Sequence, residues 1–459
     1  MADQTRVIPR RAIVSWIVYD LANVIFSMGV TSLYFSLFVR TAVGSERADS
    51  LLGRISAVSM GVMFCLSPLL GAMTDRARKR MPFLMWATII CCAATALIGR
   101  GPFAVSAVLF MVANGAYQAG VQFYDSLLPE VTTEQNRGRI NGIAIGLGYI
   151  GSYIAVGTGL VMSKLSKGHP FPFGNYFLFV GIAFLALATP CFLFVRERGN
   201  DNPRPIFTYD AVAESLRQTI QTLREGHRFP GLLRFLVGRA FYTDAINTVI
   251  LFMSLYTVNV AISTGLTKED GEQKANLVLM VAISAAIVGG ILWGFIVDRL
   301  GPKRTLNIVL GGWVITFTLA AAIGFLHLHI MWLFVVACTA GICLGGTWAS
   351  DRPLMLRITP PERVGEFYGL YGMVGRFSAV TGPLIWGATT WIIVEKSGMP
   401  VLTGEAFAIL SLLAMVLIAF TILRSVSDAP RDWNALSAEA GTTASAQPPS
   451  AAAAGAALE

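Results

Sequence analysis

Stretches of about 20 apolar residues, the length an α-helix needs to cross a hydrocarbon core, recur along the whole chain and limit what it can fold into more than any other feature. They fall near 13–39, 51–73, 82–99, 102–128, 138–162, 172–195, 232–258, 276–297, 305–326, 329–350, 365–393 and 404–424. In lipid each segment has to satisfy its own backbone polar groups, so such runs fold as helices. Composition agrees, because 54% hydrophobic against 14% charged residues is a balance that water-soluble domains rarely tolerate. The expected fold class is an all-α membrane protein with twelve transmembrane helices.

Basic loops resist translocation, so Lys and Arg mark the cytoplasmic side. With a cytoplasmic N-terminus, that side collects Arg6, Arg10 and Arg11, then Arg76, Arg78, Lys79 and Arg80, then Arg137 and Arg139. It also takes the basic central loop, Arg299, Lys303, Arg304, Arg352, Arg357, Arg363, Arg424 and Arg431. Both termini are therefore expected in the cytoplasm, as for a multi-pass protein of a bacterial inner membrane. The net charge of +8 follows from this asymmetry and gives no reason to invoke nucleic acid. The first apolar run is too long for a cleavable signal and carries Asp20, so it is expected to stay as helix 1. All six cysteines fall inside spans with no metal-ligand or redox spacing, which implies packing residues and no disulfide framework.

The chain is written twice. Asp20-Leu-Ala-Asn23 has a partner 224 residues later in Asp244-Ala-Ile-Asn247, and Gly71-x-x-x-Asp75-Arg76 one 223 residues later in Gly294-x-x-x-Asp298-Arg299. Gly115, Gly120 and Asp125 match Gly341, Gly346 and Asp351 at 226, and Gly138, Gly142 and Gly148 match Gly365, Gly369 and Gly375 at 227. Four ordered matches at nearly one offset mark a duplication of six helices. An even number returns the chain to its starting side, so the halves are parallel repeats about an axis along the membrane normal, one of the known transporter plans. The expected units are a tail, 1–12, two six-helix bundles, 13–195 and 232–424, a linker, 196–231, and a disordered tail, 425–459. In the linker, Val212, Leu216, Ile220 and Leu223 share one helical face, which predicts an amphipathic helix on the cytoplasmic surface.

The loop after helix 2, Asp75-Arg76-x-Arg78-Lys79-Arg80, and its copy Asp298-Arg299-x-Gly301-Pro302-Lys303-Arg304 resemble the loop motif of the major facilitator superfamily. The first copy has Arg78 where the second keeps Gly301. Trp16-Ile-Val-Tyr-Asp20-Leu-Ala-Asn23, Gly345-Gly-Thr-Trp-Ala-Ser-Asp-Arg352 and Pro361-Glu-Arg-Val-Gly-Glu-Phe-Tyr-Gly369 are similar to the vacuolar-effluxer-like branch. Its usual Ser-Arg-Ser stands here as Ser350-Asp351-Arg352-Pro353. The resemblance implies a major facilitator fold, whose helices 1, 4, 7 and 10 line a central cavity, and amino-acid efflux. Sugar-cation symporters also resemble Asp75-Arg76 to Pro82-Phe83 and are the alternative.

A charge inside a span is costly, so it normally faces protein or a water-filled cavity. Asp20, Asn23 and Ser27 share a face of helix 1, and Asp244 and Asn247 repeat it in helix 7 beside Arg239 and Tyr242. Helix 4 adds a stripe of Asn114, Gln118, Gln122 and Asp125. Candidate substrate-binding residues are Asp20, Asn23, Asn114, Gln118, Arg239, Asp244, Asn247 and Arg376, with Asp20 and Asp244 as proton carriers. Two roles stay open for the Asp-x-x-Asn repeats, cavity groups or hydrogen-bonded ties between helices 1 and 5 and helices 7 and 11. Arg239 and Arg376 lack a repeat partner, which suits an anionic group such as a carboxylate. Gating candidates are Asp75, Arg76, Asp125, Asp298, Arg299 and Asp351, with Asp125 and Asp351 expected to pair with Arg76 and Arg299. Asp75 and Asp298 are expected to pair with arginines or cap a helix of the opposite half.

No cofactor or metal is expected, since His169, His227, His327 and His329 sit in loops or at span ends without carboxylate partners. There is no Walker sequence and no repeated filter-like loop, which leaves a secondary transporter of a small polar solute, coupled to protons or another ion and monomeric in the bilayer. A lipid translocase or a membrane-embedded enzyme is the rival of another class.

Overall fold

The computed structural model describes residues 8–429 apart from 167, 201–202, 207, 225–228 and 230. Twelve long helices run through the described residues. Helix 1 spans 10–43 and contains a wider π-helical stretch, Ser27–Tyr34. Helices 2 to 6 are Ser45–Arg76, Met81–Leu97, Phe103–Ser126, Arg137–Leu165 and Phe173–Phe194. After a linker helix, Tyr209–Arg224, helices 7 to 10 are Leu232–Ser263, Lys268–Leu300, Pro302–Leu326 and Trp332–Arg357. Helix 11 is Val364–Thr390, continued by a π-helical turn, Trp391–Lys396, and helix 12 is Val401–Leu423. Eleven of these are long and apolar enough to cross a membrane, and helix 3 is a shorter apolar helix of 17 residues.

The expected spans differ from these helices mainly at their ends. Helices 1, 2 and 8 extend beyond 13–39, 51–73 and 276–297, because charged first turns such as Lys268–Gly271 stay helical although they are not apolar. Thr267 caps helix 8 by accepting from Asp270 N at 3.1 Å, which lets that helix begin in a polar stretch.

Packing repeats with the sequence. Helix 1 lies on helices 5 and 6 as helix 7 lies on 11 and 12, and helix 3 lies on 4 and 6 as helix 9 lies on 10 and 12. The halves meet where helix 2 packs on helix 11 and helix 5 on helix 8. Both seams are closed by glycine. A Cβ on Gly142 would stand 2.5 Å from Gly290 O, and one on Gly369 2.7 Å from Ser67 O, so the backbones touch where side chains would hold them apart. The two motif loops turn differently: helix 8 reaches Leu300 and turns at Gly301 with φ +83°, whereas helix 2 stops at Arg76 and Ala77 is extended. Arg78, where the second copy has glycine, is the reason a left-handed turn is disfavoured in the first.

The linker helix sits on helix 2. Ser215 and Thr222 are buried while Ile220, on the apolar face, is half exposed. Residues 425–429, expected in the tail, are described: Asp428 accepts from Lys303 N at 3.2 Å and pairs with Arg357 at 3.5 Å. Residues 430–459 lie outside the described residues, as do 1–7.

Candidate substrate cavity and gates

A cavity of roughly 500 Å³ lies between the halves, walled by helices 1, 2, 4, 5, 7, 10 and 11. Helix 1 presents Asp20, Asn23 and Ser27 to it, one helical turn apart, and helix 4 presents Gln118, Gln122 and Asp125. Arg239 and Asn247 of helix 7, Arg352 of helix 10 and Arg376 of helix 11 add to the polar lining, as do hydroxyl groups such as those of Tyr149 and Ser152.

Asn114 and Asp244 are not on that wall. Asn114 Nδ2 donates to Ser59 Oγ at 3.0 Å and ties helix 4 to helix 2. The Asp244 carboxylate accepts from Gly382 N at 2.8 Å and from the Thr381 hydroxyl, so it ties helix 7 to helix 11. Neighbouring positions on a helix point about 100° apart, and small rotations of helices 4 and 7 decide which stripe faces the cavity.

Two clusters of buried charge reach the cavity wall. Arg352 Nε stands 3.0 Å from Asp125 Oδ1, and its Nη2 3.7 Å from Asp20 Oδ1. Arg239 Nε donates to Asp351 Oδ2 at 3.0 Å, and Asp351 also accepts from Tyr242 at 2.6 Å and Tyr371 at 2.8 Å. The Arg239 guanidinium lies 3.5 Å from the centre of the Tyr371 ring. The expected pairs Asp125 with Arg76 and Asp351 with Arg299 are therefore replaced. Both aspartates are buried and face arginines inside the bundle, Asp125 with Arg352 and Asp351 with Arg239; Arg76 pairs instead with Glu214 of the linker, and Arg299 is exposed. Arg239, at 4% exposure, does not snorkel to the surface. Arg352 was legible only as part of a motif, since nothing in spacing shows that it inserts between helices 1 and 4.

At the end of the bundle that carries the linker, two aspartates bind helix starts in the opposite half. Asp75 accepts from Gly365 N and Glu366 N, each at 2.7 Å, and from Arg80 at 3.0 Å. Asp298 accepts from Gly138 N at 2.7 Å and Arg139 N at 3.1 Å. The first N–H groups of a helix have no internal acceptor and carry the positive end of its dipole, so a carboxylate satisfies both needs. The linker adds a further bond layer over the first of these, with Glu366 accepting from Gln218 at 2.6 Å and Thr222 at 2.5 Å.

Residues 38–429 match the family described as vacuole effluxer Atg22 like. The chain belongs to that family. An uncharacterized MFS-type transporter of Bacillus subtilis, YxiO, is 24% identical over 436 residues, 92% of this chain and 97% of its own. Among solved structures, the human organic anion transporter MFSD10 superposes with a TM-score of 0.67 at 15% identity, covering 90% of this chain and 99% of its own. The proton:xylose symporter XylE does so at 0.68 and 13% identity, covering 94% and 98%. The fold is that of the major facilitator superfamily, and this Atg22-like protein is a multi-pass membrane transporter rather than an enzyme.

Proposed function

We propose that this Atg22-like protein is a proton-coupled secondary transporter that moves a small polar solute by alternating access, and that its termini are cytoplasmic. The observation that carries the reading is the Asp20–Arg352–Asp125 cluster on the cavity wall. One guanidinium between two carboxylates leaves one negative charge uncancelled, and a proton neutralises it. A proton held there in one state and released in the other links the pH gradient to which side the cavity opens. Asp20 is the carrier of choice, since it stands farther from Arg352 than Asp125 does, 3.7 against 3.0 Å, and its charge is the less cancelled of the two.

The gates support the same reading. Asp75 and Asp298 hold the linker end shut in this conformation, so the cavity is closed toward the cytoplasm if the basic loops lie there. The family description points to efflux, and the branch resemblance to amino acids or related metabolites. Purified protein in liposomes is expected to show saturable solute flux with no chemical product; binding without flux would contradict the reading. Orientation is tested by cysteine labelling in intact cells: Ser45→Cys and Asp270→Cys are expected to react with an impermeant reagent from outside, and Glu225→Cys is not.

A further inference from the structure

We infer that the cavity takes an organic monocarboxylate with an uncharged body, and that Arg376 binds its carboxylate. This rests on the transporter reading above and, within it, replaces amino acids by acids that carry no ammonium group.

Three arginines line the cavity, and two of them are matched. Arg352 stands against Asp20 and Asp125, and Arg239 against Asp351. Arg376 has no carboxylate within ion-pair distance among the described residues, although it is 8% exposed and lines the cavity. Its Nη1 donates to Ser67 Oγ at 2.6 Å and its Nη2 to Gln118 O at 3.0 Å, both neutral acceptors. Its buried Nε has no acceptor among the described residues. A charge taken this far from water is tolerated when an opposite charge meets it. The free Nε–H and the second hydrogen of an Nη form the planar edge that receives both oxygens of a carboxylate.

The same inventory argues against a zwitterion. An ammonium group needs an uncommitted carboxylate: Asp351 is engaged by Arg239, Asp244 is turned onto helix 11, and the one uncancelled charge of the Asp20–Arg352–Asp125 cluster is the one assigned above to the proton. Val24, Met28, Met60, Val121 and Ile145 supply apolar wall for the remainder of the solute, with Asn247 as a neutral polar contact. Arg376 belongs to the second half of the chain, whereas Ser67 and Gln118 belong to the first. An anion on this guanidinium therefore touches both moving bodies at once, the position from which binding biases the state of the carrier.

The test uses the full-length protein in detergent, with propionate, lactate and benzoate, their amides propionamide, lactamide and benzamide, and alanine as the zwitterion. Thermal stabilisation is expected from acids and not from the matching amides or alanine. Arg376→Gln is expected to lower the affinity for the acids at least tenfold, and Arg376→Lys to restore part of it. Equal stabilisation by acid and amide, a response only to alanine, no response to any carboxylate, or an unchanged response in Arg376→Gln would each overturn the inference. The comparison of acid with amide is made in the unsubstituted protein and stands even if the variants fail to fold. Flux in liposomes separates this inference from the one it rests on. Transport of a neutral solute alone keeps the carrier and discards the anion site; carboxylate binding without flux does the reverse.

Discussion

Asp20 and Asp244 occupy equivalent turns of helices 1 and 7, 224 residues apart, yet only Asp20 reaches the cavity, facing Arg352 at 3.7 Å. Asp244 spends its carboxylate on Gly382 N and the Thr381 hydroxyl of helix 11. The duplication supplied two copies of one motif, and the side chains around each now give them different partners.

Asp244→Asn is accordingly expected to act on stability. It replaces a charged acceptor between two helices with a neutral one, a loss of about 1–3 kcal/mol. A lowered melting temperature with the pH response of flux retained is the expected outcome. A stable Asp244→Asn protein without pH response would instead move proton coupling to helix 7.

Asp75→Asn and Asp298→Asn are each expected to weaken the latch at the linker end. Asn keeps an acceptor but loses the charge at the helix N-terminus, a cost of up to about 2 kcal/mol, which shifts a two-state ratio by up to roughly 30-fold. Spin-label distances between the linker-side ends of helices 2 and 11 are expected to gain a longer population in Asp75→Asn. The ends of helices 5 and 8 are expected to do so in Asp298→Asn. Unchanged distance distributions in both would show that the glycine seams alone close this end.

Those seams make their own prediction. A Cβ at position 142 meets Gly290 O and Gly294 Cα, each at 2.5 Å, whereas one at 157 meets nothing within 4 Å. Gly142→Ala is expected to depopulate the conformation described here and slow transport, with Gly157→Ala as the matched control that leaves both unchanged. Both substitutions add one methyl to helix 5, so a difference between them reports the seam.

The linker helix is held partly by Glu214, whose carboxyl is kept below the usual glutamate range by its hydrogen bond to the Arg76 guanidinium. A lowered folded value means that this contribution is present above the ordinary glutamate range and is lost as pH falls through the lowered one. Hydrogen exchange of residues 209–224, corrected for the intrinsic rate, is expected to stay slow at neutral pH and quicken only below that value. Glu214→Gln is expected to remove the pH dependence.

Much of this architecture is legible in the sequence. The spans follow from length and apolarity, the parallel repeat from four motif pairs at nearly one offset, and the cross-half role of Asp75 and Asp298 from acids placed beside helix ends. Rotation about a helix axis is not legible, which is why Asn114 and Asp244 fall off the cavity wall that the stripes of helices 4 and 7 suggest. Partner choice among buried charges is not legible either. Arg352 finds Asp20 and Asp125 from far along the chain, and only packing brings the three together.

The central claim is that a proton on the Asp20–Arg352–Asp125 cluster drives the carrier. The direct measurement is solute flux into proteoliposomes with and without an imposed pH gradient, for the unsubstituted protein and for Asp20→Asn, after folding of the variant is verified. The account predicts that the gradient drives accumulation in the former and that Asp20→Asn, at nearly constant shape, abolishes accumulation while still binding solute. Flux that ignores the gradient in the unsubstituted protein, or accumulation that persists in Asp20→Asn, would contradict it.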